Sequence, residues 1–529
     1  MNYIKSLCVG AMLTMTAATA TAGGILTNTN QSIDFLRNPS RDAAIGLDGV
    51  YSNPAGVAFL PQGFHLGLNW QYARQTRTVT STDPLFALGK KNSGRTSKVF
   101  EGEAEAPIIP SIQAAWNKGN WSMQFNFSIP GGGGKCEFDD GLGSFERAVG
   151  TIASSFMSMD QLAGALNAYS PAIYGMAGLP APTGTIGTNG TTGYDMDSYM
   201  EGRQYYYGLQ LGTAYKVNEK LSVYGGLRVL IGSATYKARI SNIRVRTATN
   251  DDGISFASML TNVANQSQDL TPRAEQVLAI LNNVPAAAMT EDMQKLKAGI
   301  ERLTDPTTRK MMAELPKYSQ GVNLLCNQTG LGVAPIIGID YKLNDHFNFA
   351  AKYEFKTQVR MKNESTVFEA GVIDAVNKFE DEKLVNEDAP ALLTLGAQWS
   401  PLDEVRLNLG GHYYFDKQAR WYNDSQKELD HNTYELLAGV EWDVSDRFTI
   451  SLGGQLTRYG LTDQYMNDIS FVVNSYSIGF GANYKVRDNV KLKAGFFQTE
   501  YGHYDRTTPT TDSFTRTNRV LGLGCDIDI

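Results

Sequence analysis

The residues able to do chemistry are few, and their spacing argues against catalysis. Five histidines, His65, His346, His412, His431 and His503, are scattered along the chain. None stands in a His-Glu-x-x-His pattern, which would put two imidazoles on one helix face around a metal. No Gly-x-Ser-x-Gly elbow presents a nucleophile. The run Gly131-Gly-Gly-Gly-Lys135-Cys136 lacks the spacing, the Ser or Thr and the following helix of a phosphate loop. The remaining groups suit binding. Arg228 and Arg406 fall on the polar face of alternating segments, where a guanidinium either meets a ligand carboxylate or pairs with Glu435 or Glu441. His65 and His412 point the same way and read as structural. A net charge of -7 offers no basic surface for nucleic acid. No cofactor and no metal is expected.

The elements that must position these groups are short alternating segments. In Trp121-Ser-Met-Gln-Phe-Asn-Phe-Ser128 every odd position is apolar and every even one polar, and a strand's period of two sends the sets to opposite faces. The other set is consistently Ser, Gln, Asn, Gly and Thr, which suits a polar lumen. Such segments run approximately over 62–79, 107–117, 121–129, 203–217, 221–240, 330–342, 346–361, 389–400, 404–416, 432–443, 447–459, 472–485, 489–503 and 517–529. Short polar connections such as Asn117-Lys-Gly-Asn120 and Val486-Arg-Asp-Asn489 alternate with long ones. That layout predicts an all-β fold, a 14-stranded antiparallel transmembrane β-barrel, with tight turns on one side of the membrane and long loops on the other. A mean hydropathy of -0.27 does not oppose this, because only alternate residues of a barrel strand meet lipid.

Aromatic placement supports the same layout. Trp116 and Trp121 bracket the first turn, Tyr215 precedes the second, Tyr341 and Phe347 flank the third, and Trp399 precedes the fourth. Trp442 and Phe448 flank the fifth and Tyr484 precedes the sixth. Amphipathic rings gather at the membrane–water boundary. Two long extracellular loops, about 130–202 and 241–329, carry helical patterns of their own. Phe145, Val149, Ile152, Phe156 and Met159 form one apolar stripe; Phe256, Leu260 and Val263, then Val277, Leu278 and Leu281, then Met293, Leu296 and Ile300 form others. These stripes pack as a lid or also line a greasy entrance. Cys136 and Cys326 fall in the two loops and either form a disulfide or stand as free thiols. Cys525 lies on the lipid face of the last strand.

Residues 1–22 read as a signal peptide, with a basic start, an apolar run from Leu7 to Ala18 and a small-residue cleavage site at Ala20-Thr-Ala22. About forty residues then precede the first strand, too many for a simple tail. They end in Tyr51-Ser-Asn-Pro-Ala-Gly-Val-Ala58, where Pro54 fixes φ and little bulk follows.

Ser52-Asn53-Pro54-Ala55-Gly56 before fourteen strands with large second and third loops resembles the FadL-type outer-membrane transporters of long-chain fatty acids and aromatic hydrocarbons. The resemblance covers essentially the whole mature chain. It implies that residues 23–61 form an N-terminal hatch inside the barrel of residues 62–529, with Asn53, Pro54, Ala55 and Gly56 in it. It further implies that a ligand passes from a loop groove to a pocket near the mature N-terminus and leaves sideways through a gap at a kinked third strand. Ile25, Leu26 and Phe35 are the expected pocket contributors. In the third strand Pro130 cannot donate to a ladder and Gly131 and Gly132 relax the backbone, so pairing should fail there, either as that gap or as the end of the strand. Two features depart from the family: the chain ends in Ile529 instead of Phe, and the third loop is long.

The resulting expectation is passive transport of hydrophobic compounds, such as long-chain fatty acids or similar lipids, by a monomer with periplasmic termini in the outer membrane. Its other partners would be outer-membrane lipid, lipopolysaccharide and the barrel assembly machinery, to which Leu521, Leu523, Cys525, Ile527 and Ile529 offer an apolar stripe. Binding would draw on about 25 cal/mol per Å² of apolar surface buried. The alternatives are a passive porin or surface adhesin and, further off, an outer-membrane lipase or protease.

Overall fold

A computed structural model describes residues 32–366 and 377–529. The expected signal peptide over residues 1–22, Ile25 and Leu26 lie outside the described residues. Fourteen antiparallel strands form the wall. The first five are Gly63–Thr82, Ser97–Lys118, Trp121–Phe138, Thr191–Lys216 and Leu221–Thr247, and the sixth is Val322–Lys342. The seventh is built from Phe347–Glu354 and Arg360–Thr366, the eighth from Leu384–Asn386 and Leu392–Leu402. Val405–Tyr414, Tyr434–Ser445, Phe448–Arg458 and Ser475–Arg487 follow. The thirteenth joins Val490–Tyr501 to Tyr504–Arg506, and the last is Thr511–Asp528. The first strand pairs with the last from His65–Asp528 to Thr82–Thr511, so the sheet closes and leaves no edge. At the turn end Phe64 and Ile529 exchange both backbone hydrogen bonds.

Alternation places the two faces as expected. Leu211, Leu331, Leu409 and Leu523 are exposed outward, whereas Gln113, Gln124, Asn126, Gln210 and Asp340 are buried inward. Trp116, Trp121, Trp399 and Trp442 are all about half exposed beside the short turns, with Trp121 against Tyr215 and Trp399 stacked on Phe347. No helix among the described residues is long and apolar enough to cross a membrane.

The strands on the loop side extend further than alternation of apolar residues foretells. The second begins at Ser97 instead of 107 because Glu101, Glu103 and Glu105 face water outside while Phe100, Gly102 and Ala104 are buried. The third continues to Phe138 and the fourth starts at Thr191, so the loop expected over 130–202 is shorter at both ends. The loop expected over 241–329 likewise loses its ends to the fifth and sixth strands. Within these loops the predicted helices form: Gly143–Met176, then Phe256–Leu281, Glu291–Thr304 and Pro306–Glu314. Val149, Phe156 and Met159 bury against Phe256, Met259 and Val263, so the apolar stripes of the two loops pack on each other. Cys136 and Cys326 are not bridged. Both are free and buried, on the third and sixth strands. Three interstrand spacings of about 4.8 Å separate those strands along the wall, about twice the Cα reach of a disulfide.

Leu409 sits midway along the ninth strand on the outer face. Leu409→Arg is expected to cost about 2–4 kcal/mol in denaturant unfolding from lipid vesicles. A change within about 0.5 kcal/mol, as on a water-facing surface, would contradict the bilayer placement.

The plugged lumen as candidate functional site

The segment before the first strand lies inside the barrel. It opens with the short helix Ile33–Arg37, capped by Ser32, whose Oγ accepts from the Phe35 amide at 3.2 Å. It then runs through two single 3-10 turns, Leu47–Val50 and Gly56–Phe59. Such irregular backbone leaves carbonyls without partners, and a buried one must find a donor. The wall supplies them. Gln210 donates to the Val50 carbonyl at 2.9 Å, Lys352 to Tyr51 at 2.9 Å, Gln124 to Pro54 at 2.7 Å and Ser222 to Ala55 at 2.6 Å. Asn117 donates to Val57 at 2.9 Å and Leu60 at 3.1 Å. These donors come from the second to fifth and seventh strands, so the segment is held around much of the bore.

The Asn-Pro-Ala-Gly turn has a specific seat. Asn53 Nδ2 donates to Asp340 Oδ2 at 2.6 Å, and its Oδ1 accepts from the Gly56 amide at 3.2 Å. Asn348 donates to the same Asp340 oxygen at 2.9 Å. A Cβ on Gly56 would stand 2.4 Å from Asn53 Nδ2 and 3.0 Å from Asp340 Oδ2, so glycine alone fits without displacing that bond. Ala55 is fully buried beside Ala214, Tyr224 and Ile336.

A chain of buried charges fastens the other half. Lys493 bridges Asp526 at 2.6 Å and Asp34 at 2.7 Å; Asp34 meets Arg37 at 2.8 Å, and Arg37 meets Glu441 at 2.6 Å. Glu441 continues to Arg41 at 2.9 Å, which closes on Asp48 at 2.7 Å. His412 stands between Asp42 at 3.0 Å and Glu435 at 2.8 Å. Desolvation cancels much of the attraction in such pairs, yet removing one member strands its partner at a cost of about 3–5 kcal/mol. The network therefore selects one seating of the plug.

The arginines named from sequence are engaged. Arg228 bonds Glu354, not Glu435 or Glu441, takes Gln210 Oε1 as well, and lies 4.5 Å over the Tyr51 ring. Arg406 forks onto Asp443 at 2.7 and 2.8 Å, with Glu441 at 3.6 Å. Phe35 packs on Phe497 at 5.5 Å between ring centroids and borders a small recess with Asp42, Tyr51, Leu392 and His412. Alternation identified none of the hatch anchors on the wall, Asp340, Glu354, Asn348 and Lys493 among them, because it reports a face and not a partner. Among the described residues no His, Cys, Asp or Glu cluster could hold a metal.

Pro130, Gly131 and Gly132 lie within the third strand and not at its end. Its ladder to the second strand holds from Lys118–Trp121 to Ile112–Phe127 and resumes at Glu105–Lys135; between these pairs no residues are in register. The second strand contributes Pro107 and Pro110 to this break. Pro107, Pro110 and Pro130 each lack an N–H, so none of the three brings a donor that could be left orphaned. From the outer face the Trp70 indole donates to the freed Pro107 carbonyl at 3.1 Å. The ladder is thus interrupted in one side of the wall.

Outside the membrane-spanning segments, burial pushes the Asp416 carboxyl up to about 6, against the Thr433 amide that donates to it at 2.9 Å. Burial likewise raises Asp468, whose Oδ2 accepts from the Ser144 amide at the start of the lid helix at 2.7 Å.

A closed β-barrel with a folded N-terminal segment in its bore and helices in its long loops is the architecture observed. No protein-family model and no curated protein matches the chain. Its structure is similar to a Pseudomonas aeruginosa FadL homologue, at 12% identity and a TM-score of 0.56 over 96% of this chain and 100% of that one. It is also similar to the P. putida toluene transporter TodX, at 11% identity and a TM-score of 0.51 over 92% and 94% of the two chains. The fold is that of the FadL-type outer-membrane transporters.

Asn53→Ala leaves Asp340 with one donor fewer, which should cost about 1–3 kcal/mol. The expected result is faster hydrogen exchange at the Gly56 and Ala58 amides with the barrel ladders unchanged; equal protection would contradict the seating. For Asp416 the folded carboxyl titrates above the unfolded one. Its contribution is therefore fully present below pH ~4 and lost as pH rises through about 6. Protection of the Thr433 amide, corrected for intrinsic exchange, should fall by on the order of 2 kcal/mol across that window, and Asp416→Asn should abolish the trend.

Proposed function

We propose that this chain carries hydrophobic compounds across an outer membrane by passive binding and release, with its N-terminal segment as hatch. The observation that carries the reading is the coincidence of a bore occupied by the N-terminal segment with an unladdered patch of wall between the second and third strands. A plug fastened by donors from several strands opposes free passage of solutes through the bore. An apolar solute needs no aqueous bore, and it can leave through a lateral opening into lipid. The apolar lid clusters supply a first resting place, because burial of a large apolar ligand there is worth about 25 cal/mol per Å². Long-chain fatty acids or aromatic hydrocarbons are the proposed cargo, and Pro130, Gly131 and Gly132 mark the exit. Ile25 and Leu26, with Phe35, are proposed to contribute to the ligand pocket. Periplasmic termini and a monomeric state belong to the same proposal, as does the absence of catalysis. An open porin is disfavoured by the hatch.

The test is uptake of radiolabelled long-chain fatty acid and of toluene by a Gram-negative deletion strain expressing the protein. Ile109→Cys with Pro130→Cys, on the two sides of the interruption, should form a bond under oxidation. Uptake of at least one cargo is expected to fall about tenfold when the bond forms and to recover on reduction. Uptake no higher than in the strain without the protein would end the transport reading. Unaltered uptake with the bond formed would end the lateral route.

A further inference from the structure

Two arginines in the upper lumen have no counter-charge among the described residues. Arg77 of the first strand and Arg516 of the last are directly opposed across the closing seam. Both point inward, as do their neighbours Val79 and Phe514, which are fully buried. Like charges directly opposite in a sheet repel, and here they do so with little water to screen them. Among the described residues neither guanidinium forms an ion pair. They share one neutral acceptor instead: Gln75 Oε1 takes Arg77 Nε at 3.2 Å and an Arg516 terminal nitrogen at 2.9 Å. Arg516 also donates to the Phe471 carbonyl at 3.2 Å and lies 5.1 Å over the Tyr501 ring, and its Nε is buried with no acceptor.

The neighbouring arginines show that this is a local exception. Arg147 and Arg506 both meet Asp512, and the outward Arg74 meets Glu103. Among the described residues the buried lumen cations Arg37, Arg41, Arg228, Lys352 and Lys493 each have a carboxylate. At the seam, two donor forks face each other and the buried Arg516 Nε has no acceptor among the described residues.

Their surroundings are apolar on both sides along the bore. Toward the mouth lies the cluster of Val79, Phe471, Val473 and Phe514. Toward the hatch, Val520 packs with Phe497, Ile33 and Leu36. Val520 is four residues along the strand from Arg516, about 13 Å at ~3.3 Å per residue. We propose that Arg77 and Arg516 form a binding site for the anionic head of an amphiphile, with its tail laid along the last strand toward the hatch. A carboxylate or a phosphate monoester would accept from both forks and relieve their repulsion. This rests on the transport reading and deepens it, because it makes charged amphiphiles preferred over neutral hydrocarbons.

The experiment is calorimetric titration of the full mature chain in lipid nanodiscs with dodecanoate, dodecyl phosphate and dodecanol. At least one of the anions should bind about tenfold or more tightly than dodecanol, and the better one identifies the head group. Arg77→Gln and Arg516→Gln should each weaken that anion about tenfold or more, since charge-assisted bonds are at stake, and leave dodecanol unchanged. Without ligand, each variant should unfold at the same temperature as the parent or higher, because a repulsion is removed. Arg516→Lys, which keeps the charge and loses the fork, should give a smaller loss and serves if a glutamine variant does not assemble. Anion affinity unchanged in these variants, or no preference for anions over dodecanol, overturns the site while leaving transport standing. Failure of the parent to bind any of the three overturns both.

Discussion

The structure depends on one constraint: at membrane depth a backbone polar group that does not pair has no water to turn to. The closing ladder between the first and last strands meets it along the full length of the first strand, which is why the sheet has no edge. The interruption between the second and third strands is therefore informative. It persists because its sequence lowers the penalty, with Pro107, Pro110 and Pro130 removing donors and the Trp70 indole satisfying a carbonyl. Glycines let the third strand resume pairing with the fourth at Gly131 while it parts from the second. Gly132 shows the closeness of that approach: its φ is +103°, and a Cβ would lie 2.2 Å from the Gln204 carbonyl. No side chain but hydrogen is tolerated there.

The same constraint explains the polar lumen. A barrel of this width filled by apolar side chains could not hold an irregular segment, because that segment's carbonyls would be left unsatisfied. Asn117, Gln124, Gln210 and Ser222 act as donors aimed at a particular backbone path. The charge chain from Asp526 to Asp48 adds selectivity of position more than net stability. A segment held in this way is placed by many separate hydrogen bonds and ion pairs.

How much of this was legible in the residues follows from the same physics. Alternation and turn chemistry revealed the fourteen strands, and the half-exposed tryptophans stand where amphipathic rings at an interface should. The outer halves of the strands were hidden, because above the bilayer Glu101, Glu103 and Glu105 face water and erase the apolar signal. The Asn-Pro-Ala-Gly turn was visible, but its anchor was not: Asn53 and Asp340 are far apart in sequence and meet only through the barrel's register. Arg228 was placed correctly in the lumen, and its partner proved to be Glu354, two strands away in chain order. The opposed arginines required the register of the seam itself, since nothing local in Arg77 or Arg516 distinguishes them from the paired cations nearby.

On the proposed reading, binding and plugging would share residues, and this would couple them. The helix Ile33–Arg37 presents Ile33 and Leu36 to Phe497 and Val520, while Asp34 and Arg37 of the same turns hold Lys493 and Glu441. A tail arriving along the last strand would compete for the apolar side of this helix and so work against its charged side. The apolar contacts are non-directional and exchange readily for a ligand of similar surface. The ion pairs are directional and yield only as a set, because breaking one strands its partner. On that proposal, graded apolar displacement acting on a charge network would be the physical basis for a hatch that stays shut when empty and shifts when filled.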